Sequence, residues 1–318
     1  MGFLDLFLLS CSSLKTKKIV KHVFTVRKHE LVVDFQDALK LIIQSVTNPT
    51  YGEAIYLNSK DEQEDKVFHV KIGAVDRVPS DYAKEEGNHD ALVLTTYWDD
   101  PKNGFNVLHD AVNEVFQATV KEVMIDLNEV AVESYQNVID WVENQFPTLP
   151  TFRIIGRCSF QNYLWMMKNV KAKNSLLFSM EPTEYPENHE TVNLESEKIG
   201  IDHGKWIRLQ DLQAMKARII FLSDVSLTEQ EINMFLRNLQ ALKEESYLRR
   251  LTFDFYREVN LEIVLEGLKV TEEEKPEDSL NQWSFEMENG AKCTVLYAEY
   301  EDEDADLQKF GFEIEIGN

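Results

Sequence analysis

Asp302, Asp304, Asp306 and Glu313 occupy positions 1, 3, 5 and 12 of a calcium-loop spacing, the one place in the chain where hard oxygen ligands recur at a cation-binding interval. Position 6, where the loop's sharp bend calls for glycine, is Leu307, and position 9 is Phe310 at the start of an alternating apolar run. The spacing therefore predicts a solvated acidic turn and no metal site. Cys158 and His189 are the kind of pair a thiol nucleophile needs, but three cysteines and seven histidines offer many such pairings and nothing in the spacing selects this one. No H-x-x-x-H places two imidazoles on one helical face, and neither glycine-rich phosphate cradle is present, nor is a G-x-S-x-G elbow. Trp98 and Trp206 have the rings to stack on a sugar or a cofactor, yet both lie beside apolar runs and are expected in the core. No motif here supports a catalytic residue, a metal or a cofactor.

Charge narrows the partners. The 318 residues carry 33 basic and 56 acidic side chains, a net of -23, so a nucleic-acid backbone would meet a repulsive field. Residues 1–30 run the other way: Lys15, Lys17, Lys18, Lys21, Arg27 and Lys28 stand against Asp5 and Glu30, +4, leaving -27 for the remainder. A basic helical segment thus precedes an acidic body. No run of eighteen apolar residues exists to span a membrane. Met1 to Leu9 is broken by Asp5 and lacks a small-residue cleavage site, which argues against a signal peptide, and Leu6 occupies the position where myristoylation wants Ser or Thr. Cys11, Cys158 and Cys293 are odd in number and widely spaced, as expected of free thiols in the cytoplasm or nucleus.

The elements that would carry these residues mix both periodicities. Leu31–Val33, Ala54–Leu57, Val67–Ile72 and Leu92–Thr95 read as strands, whereas Phe35, Leu39, Ile42, Ile43 and Val46 fall at helical spacing behind Asp34 as an N-cap. Residues 76–90 read as a polar loop. A helix is expected through Phe105, Leu108, Ala111, Val112, Val115 and Phe116. Near the end, Trp283, Phe285 and Met287 face Cys293, Val295 and Tyr297 across Asn289-Gly290, read as a type I′ hairpin, and Phe310, Phe312, Ile314 and Ile316 form a last strand.

Between these lies a repeat. Val120, Val123, Ile125, Asn128 and Val130 match the leucine-rich-repeat pattern L-x-x-L-x-L-x-x-N-x-L. Its first three positions recur at Leu149, Phe152 and Ile154, at Ala217, Ile220 and Leu222, and at Leu248, Leu251 and Phe253. The long step from 149 to 217 leaves room for a degenerate unit around Ser175–Phe178. Helical stripes intervene, at Tyr135–Val142, at Phe160–Met167 and at Ile232–Leu239, the last announced by Thr228 and Glu231 as a capping box. The fold class expected is α/β: a short, irregular leucine-rich-repeat-like β-α array over 120–270, preceded by an α+β region at 23–119 and a helical segment at 1–22, and followed by an acidic loop and a C-terminal β-hairpin region at 271–318.

Two segments together resemble a family. Asp5-Leu6-Phe7-Leu8-Leu9-Ser10-Cys11-Ser12-Ser13 followed by Lys15-Thr16-Lys17-Lys18-Ile19-Val20-Lys21 looks like the second half of an F-box. Thr96-Tyr97-Trp98-Asp99-Asp100 with Gly104, then Trp206–Leu212, Ile219–Leu222 and Leu227–Leu236, resemble the nematode F-box-associated domain of the second type. The resemblance implies a substrate-receptor subunit of a cullin-based ubiquitin ligase. In such a subunit Leu6, Leu8, Leu9, Cys11, Leu14, Ile19 and Val20 would face the Skp-family adaptor, while the C-terminal domain holds a protein target. The family's F-box opens with a Pro- and Leu-rich first helix and this sequence opens with the second, so the alternative expectation is a binding module or decoy that does not engage the ligase.

Overall fold

The computed structural model describes residues 2–24, 29–35, 38–63, 67–84, 92–130, 134–272, 281–302 and 307–317. The chain divides into two units, Met1–Pro150 and Thr151–Asn318.

In the first unit, helices α1 (Phe3–Ser12) and α2 (Leu14–Phe24) precede strands β1 (His29–Phe35), β2 (Leu39–Ser45), β3 (Asn48–Ser59), β4 (Phe68–Ile72), β5 (Val75–Lys84) and β6 (Leu92–Trp98). Helix α3 (Pro101–Phe116), strand β7 (Thr119–Asp126) and helix α4 (Tyr135–Gln145) complete it. The strands run in the order β7-β1-β2-β3-β6-β5-β4. β7 pairs parallel to β1, and the unit boundary at Pro150 falls inside the stretch read as one array from 120.

Two local expectations fail here. Where a helix was expected at 35–46, residues 39–45 form strand β2, antiparallel to β1, and Asp34 lies within β1 opposite Lys40, while residues 36–37 lie outside the described residues. Leu31, Val33 and Phe35, then Leu39, Leu41 and Ile43, are buried at every second residue, so the two-residue period won once β3 supplied the next strand of the ladder. Of the polar loop expected at 76–90, residues 76–84 belong to strand β5, held between β4 and β6 with Val78 and Ser80 turned inward, and residues 85–90 lie outside the described residues. Helix α3 begins at Pro101, where its fixed φ suits the first turn, and Asp100 accepts the Lys102 N–H at 3.1 Å. Gly104 lies so close to the Trp98 ring that a Cβ would stand 2.3 Å from it.

The second unit is built on a parallel ladder. Strands β8 (Thr151–Cys158), β9 (Ser175–Pro182), β10 (Lys198–Ile201), β11 (Ile219–Leu222) and β12 (Arg250–Phe255) alternate with α5 (Phe160–Asn169), the irregular segment 183–197, α6 (Leu209–Ala214) and α7 (Glu229–Gln240). Two rows of side chains cross it in register. Phe152, Leu176, Ile199, Ile220 and Leu251 form one, and Ile154, Phe178, Ile201, Leu222 and Phe253 the other, all buried. The first row recurs at intervals of 24, 23, 21 and 31 residues, so the long step in the sequence holds two strands where one was expected. β10 escaped notice because its leading position is Ser196, a buried hydroxyl that donates to the Ala172 carbonyl at 3.2 Å.

After the short helix α8 (Leu261–Val264), strands β13 (Thr271–Glu272), β14 (Asn281–Glu286), β15 (Lys292–Asp302) and β16 (Leu307–Ile316) return antiparallel. β16 pairs with β12 and brings Phe312 opposite Phe253, ending the parallel ladder with an antiparallel strand. The β14–β15 loop is not type I′. Only Gly290 has a positive φ, +85°, while Asn289 Oδ1 accepts the Ala291 N–H, giving a three-residue loop between Met287 and Ala291.

Candidate partner-binding surfaces

The groups singled out for chemistry end in structural roles or outside the described residues. Asp304 and Asp306 lie outside them, and no cluster of three metal-ligating side chains occurs among the residues described. Burial pushes the Cys158 and Cys293 thiols up to about 12 and Cys11 up to about 11, with Ser10 and Lys17 opposing the last, so all three are protonated near neutrality. His189, one of the many imidazoles that could have met Cys158, lies 3.1 Å from Asp211. Trp98 and Trp206 are both buried, the first donating to Thr96 Oγ1 at 2.9 Å and the second to the Tyr163 hydroxyl at 3.2 Å.

The N-terminal helices divide the seven predicted adaptor contacts between core and surface. α1 is anchored through Phe3, Leu4, Leu6 and Phe7, all buried, and the buried Glu53 carboxylate accepts the Leu4 N–H at 2.6 Å, a negative charge at the helix N-terminus. Val20 of α2 is buried as well. Leu6 and Val20 therefore belong to the unit's own core. Leu8 and Cys11 are half-buried, and Leu9, Leu14 and Ile19 are 40%, 79% and 53% exposed. Lys17 of α2 pairs with Glu114 of α3. These helices thus dock on their own unit and still leave three large apolar side chains exposed.

In the second unit a polar clasp fixes the irregular segment 183–197. Asp211, fully buried at the start of α6, accepts from the Val192 N–H at 3.0 Å and from the Arg208 N–H and Nε at 3.1 Å each. Burial works to raise its carboxyl, and the Arg208 side chain, the two backbone donors and His189 outweigh that and hold it below its ordinary value. His189 is pushed down, chiefly by burial, against the pull of Asp211. Arg208 also donates to the His189 carbonyl at 2.8 Å, and the imidazole sits edge-on to Phe160 and Trp206. The arrangement ties a strandless loop to the start of α6 through three hydrogen bonds, with two more joining Arg208 to Asp211.

Beside this clasp, at the N-terminal ends of the parallel strands, two hollows open. One of about 750 Å³ is bordered by Lys171–Asn174 and Asn193–Glu197; the other, of about 280 Å³, is lined by Met215, Phe235, Leu239, Leu242 and Leu248. Tyr247, 59% exposed, lines both. Open parallel sheets usually bind ligands beyond the carboxyl ends of their strands, so this placement is the reverse of the common one.

Residues 185–253 match the family model of F-box associated domains. No curated protein and no solved structure matches the chain. The F-box associated match runs from the loop before β10 through Phe253 of β12, and contains the His189–Asp211 clasp, the Thr228 capping box and three of the segments that carried the resemblance in the sequence. The segments at 5–21 and 96–104 lie outside it. Sequence reasoning missed the residues around the hollows because they come from separated stretches, at 167–174, 193–197, 212–218 and 246–248 and from helix α7, that form no linear motif. The alternating positions of strand and loop gave no sign that these stretches would meet.

Proposed function

We propose that the chain is a non-catalytic substrate receptor of a Skp-cullin-F-box ubiquitin ligase, with its second unit holding a protein target. The observation that carries this reading is the F-box associated match at 185–253, set in a rigid parallel ladder. Supporting it, Leu9, Leu14 and Ile19 are exposed apolar side chains on helices that read as F-box in the sequence. A recombinant Skp-family adaptor should co-purify with the chain. Leu9→Asp combined with Leu14→Asp should abolish capture, while Lys17→Ala should chiefly change its salt dependence, since rim charges act mostly on association rate.

A second reading has its own observation. Leu6 and Val20 are spent on the chain's own core, which reduces the surface available to an adaptor and favours a binding module or decoy that acts without the ligase. Failure of the adaptor to bind at high micromolar concentration would select that reading.

A further inference from the structure

The larger hollow of the second unit is positive on a strongly negative molecule. Its border includes Lys168, Lys171, Lys173 and Arg218 against Glu195 and Glu197, and with Glu190, the partner of Lys168, the local balance is +1 where the whole chain is -23. Arg218 is 3.5 Å from Glu197, and Lys168 is 2.5 Å from Glu190. Lys171 and Lys173 have no side-chain partner among the described residues, and both are exposed. Two ammonium groups in no ion pair, with Glu195 as the one remaining carboxylate on the border, are therefore displayed above a base that includes Met167, Leu176 and Leu194, all buried.

The border is held before any ligand arrives. Glu197 N–H donates to the Lys173 carbonyl at 3.4 Å, Lys198 N–H to Asn174 at 2.8 Å, Ser196 N–H to Lys216 at 3.2 Å and Lys216 N–H to Leu194 at 2.8 Å. These bonds fix the two loops that carry the charges, so little ordering entropy remains to be lost on binding. Past Tyr247 the second hollow is apolar, with Phe235, Leu239 and Leu242. A ligand reaching across Tyr247 meets positive charge first and an apolar pocket next. An exposed tyrosine between the two is the residue type that dominates protein interfaces.

We propose that this groove binds a short extended segment of an acidic protein, with Asp or Glu side chains over Lys171 and Lys173 and an apolar side chain in the hollow beyond Tyr247. An extended strand, at about 3.3 Å per residue, spans such a surface with few residues and can present charge and apolar contact from alternate positions. The proposal rests on the reading of the second unit as the part that holds a target and assigns that target's chemistry.

The test is selection of a phage-displayed random dodecapeptide library on the full chain, followed by fluorescence polarisation with the enriched peptides. Enriched sequences should be net acidic with at least one Leu, Ile, Met or Phe. Their binding should weaken tenfold or more in a Lys171→Glu/Lys173→Glu variant and in Tyr247→Ala, and should fall with added salt. Lys171 and Lys173 are exposed, so the charge-reversed variant should keep the wild-type circular dichroism spectrum and any capture of the Skp-family adaptor. Enrichment of neutral or basic peptides, equal binding to wild type and variant, or no enrichment would overturn the groove. Acidic peptides that bind the wild type and lose binding in the two variants, with no adaptor capture by the wild type, would keep the groove and reject the ligase reading.

Discussion

Asp211 shows how much one buried carboxylate can organise. It has four donors, all within 3.1 Å, from three different residues, and its truncation would strand His189, the Arg208 guanidinium and two backbone N–H groups together. Asp211→Ala should cost about 3–5 kcal/mol in denaturant unfolding, the range for removing one partner from a buried charged pair. The clasp also sets a pH dependence. His189 and Asp211 are both held below their ordinary values of 6.5 and 3.8, so the folded state binds fewer protons than the unfolded one as pH falls. The stability they supply is complete above pH 6.5 and is lost on acidification, first through His189. Denaturant midpoints should fall from pH 7 to pH 5, and His189→Gln should flatten that slope; an unchanged slope would assign it to other groups. The thiols give a second test at this scale. With all three pushed up to about 11 or 12, Ellman's reagent at pH 8 should label the native chain slowly and report three thiols in guanidinium.

Among the elements, α7 joins a capping signal in the sequence to a packed stripe. Thr228 Oγ1 accepts the Glu231 N–H at 3.3 Å while Glu231 Oε2 accepts the Thr228 N–H at 2.9 Å, and Ile232, Phe235, Leu236 and Leu239 are buried. Thr228→Ala should cost about 1 kcal/mol through the lost cap. Phe235→Ala should cost about 3–5 kcal/mol, because transfer energy and packing are forfeited together. A change within about 0.5 kcal/mol, the size of an ordinary surface substitution, would mean the stripe contributes little. α1 makes the contrasting case. Its apolar residues are spread around the helix, and only the fold shows that Phe3, Leu4 and Phe7 enter the core while Leu9 stays out.

The molecule as a whole carries -23, a self-repulsion that its surface ion pairs offset only locally. Arg257–Glu229 and Arg250–Glu313 are partly exposed pairs of the kind that contribute less than about 1 kcal/mol each. Screening should therefore stabilise it. Raising ionic strength from 0.01 M to 0.15 M shortens the Debye length from about 30 Å to about 8 Å. A gain of about 1 kcal/mol would lift Tm by about 2–4 °C for units of this size. A Tm that falls with salt would show that the ion pairs outweigh the net charge. No helix among the described residues is long and apolar enough to cross a membrane.

The sequence by itself determined what depends on near neighbours. The alternation of β8, β12 and β16, the stripes of α3, α4, α5 and α7 and the Thr228 box could all be read from spacing, because side-chain direction within an element follows its period, and the F-box associated segment could be read as a resemblance. What only the tertiary structure decided depends on partners distant in the chain. Residues 35–46 satisfy both periods, and residues 39–45 became strand β2 because β3 was there to pair with them. β5 is too polar to read as a strand and is held by its two neighbours. Ser196 can lead β10 only because Ala172 offers its buried hydroxyl a carbonyl. Lys171, Lys173 and Tyr247 became one surface because parallel pairing aligns the strand starts, and with them the loops that precede each strand.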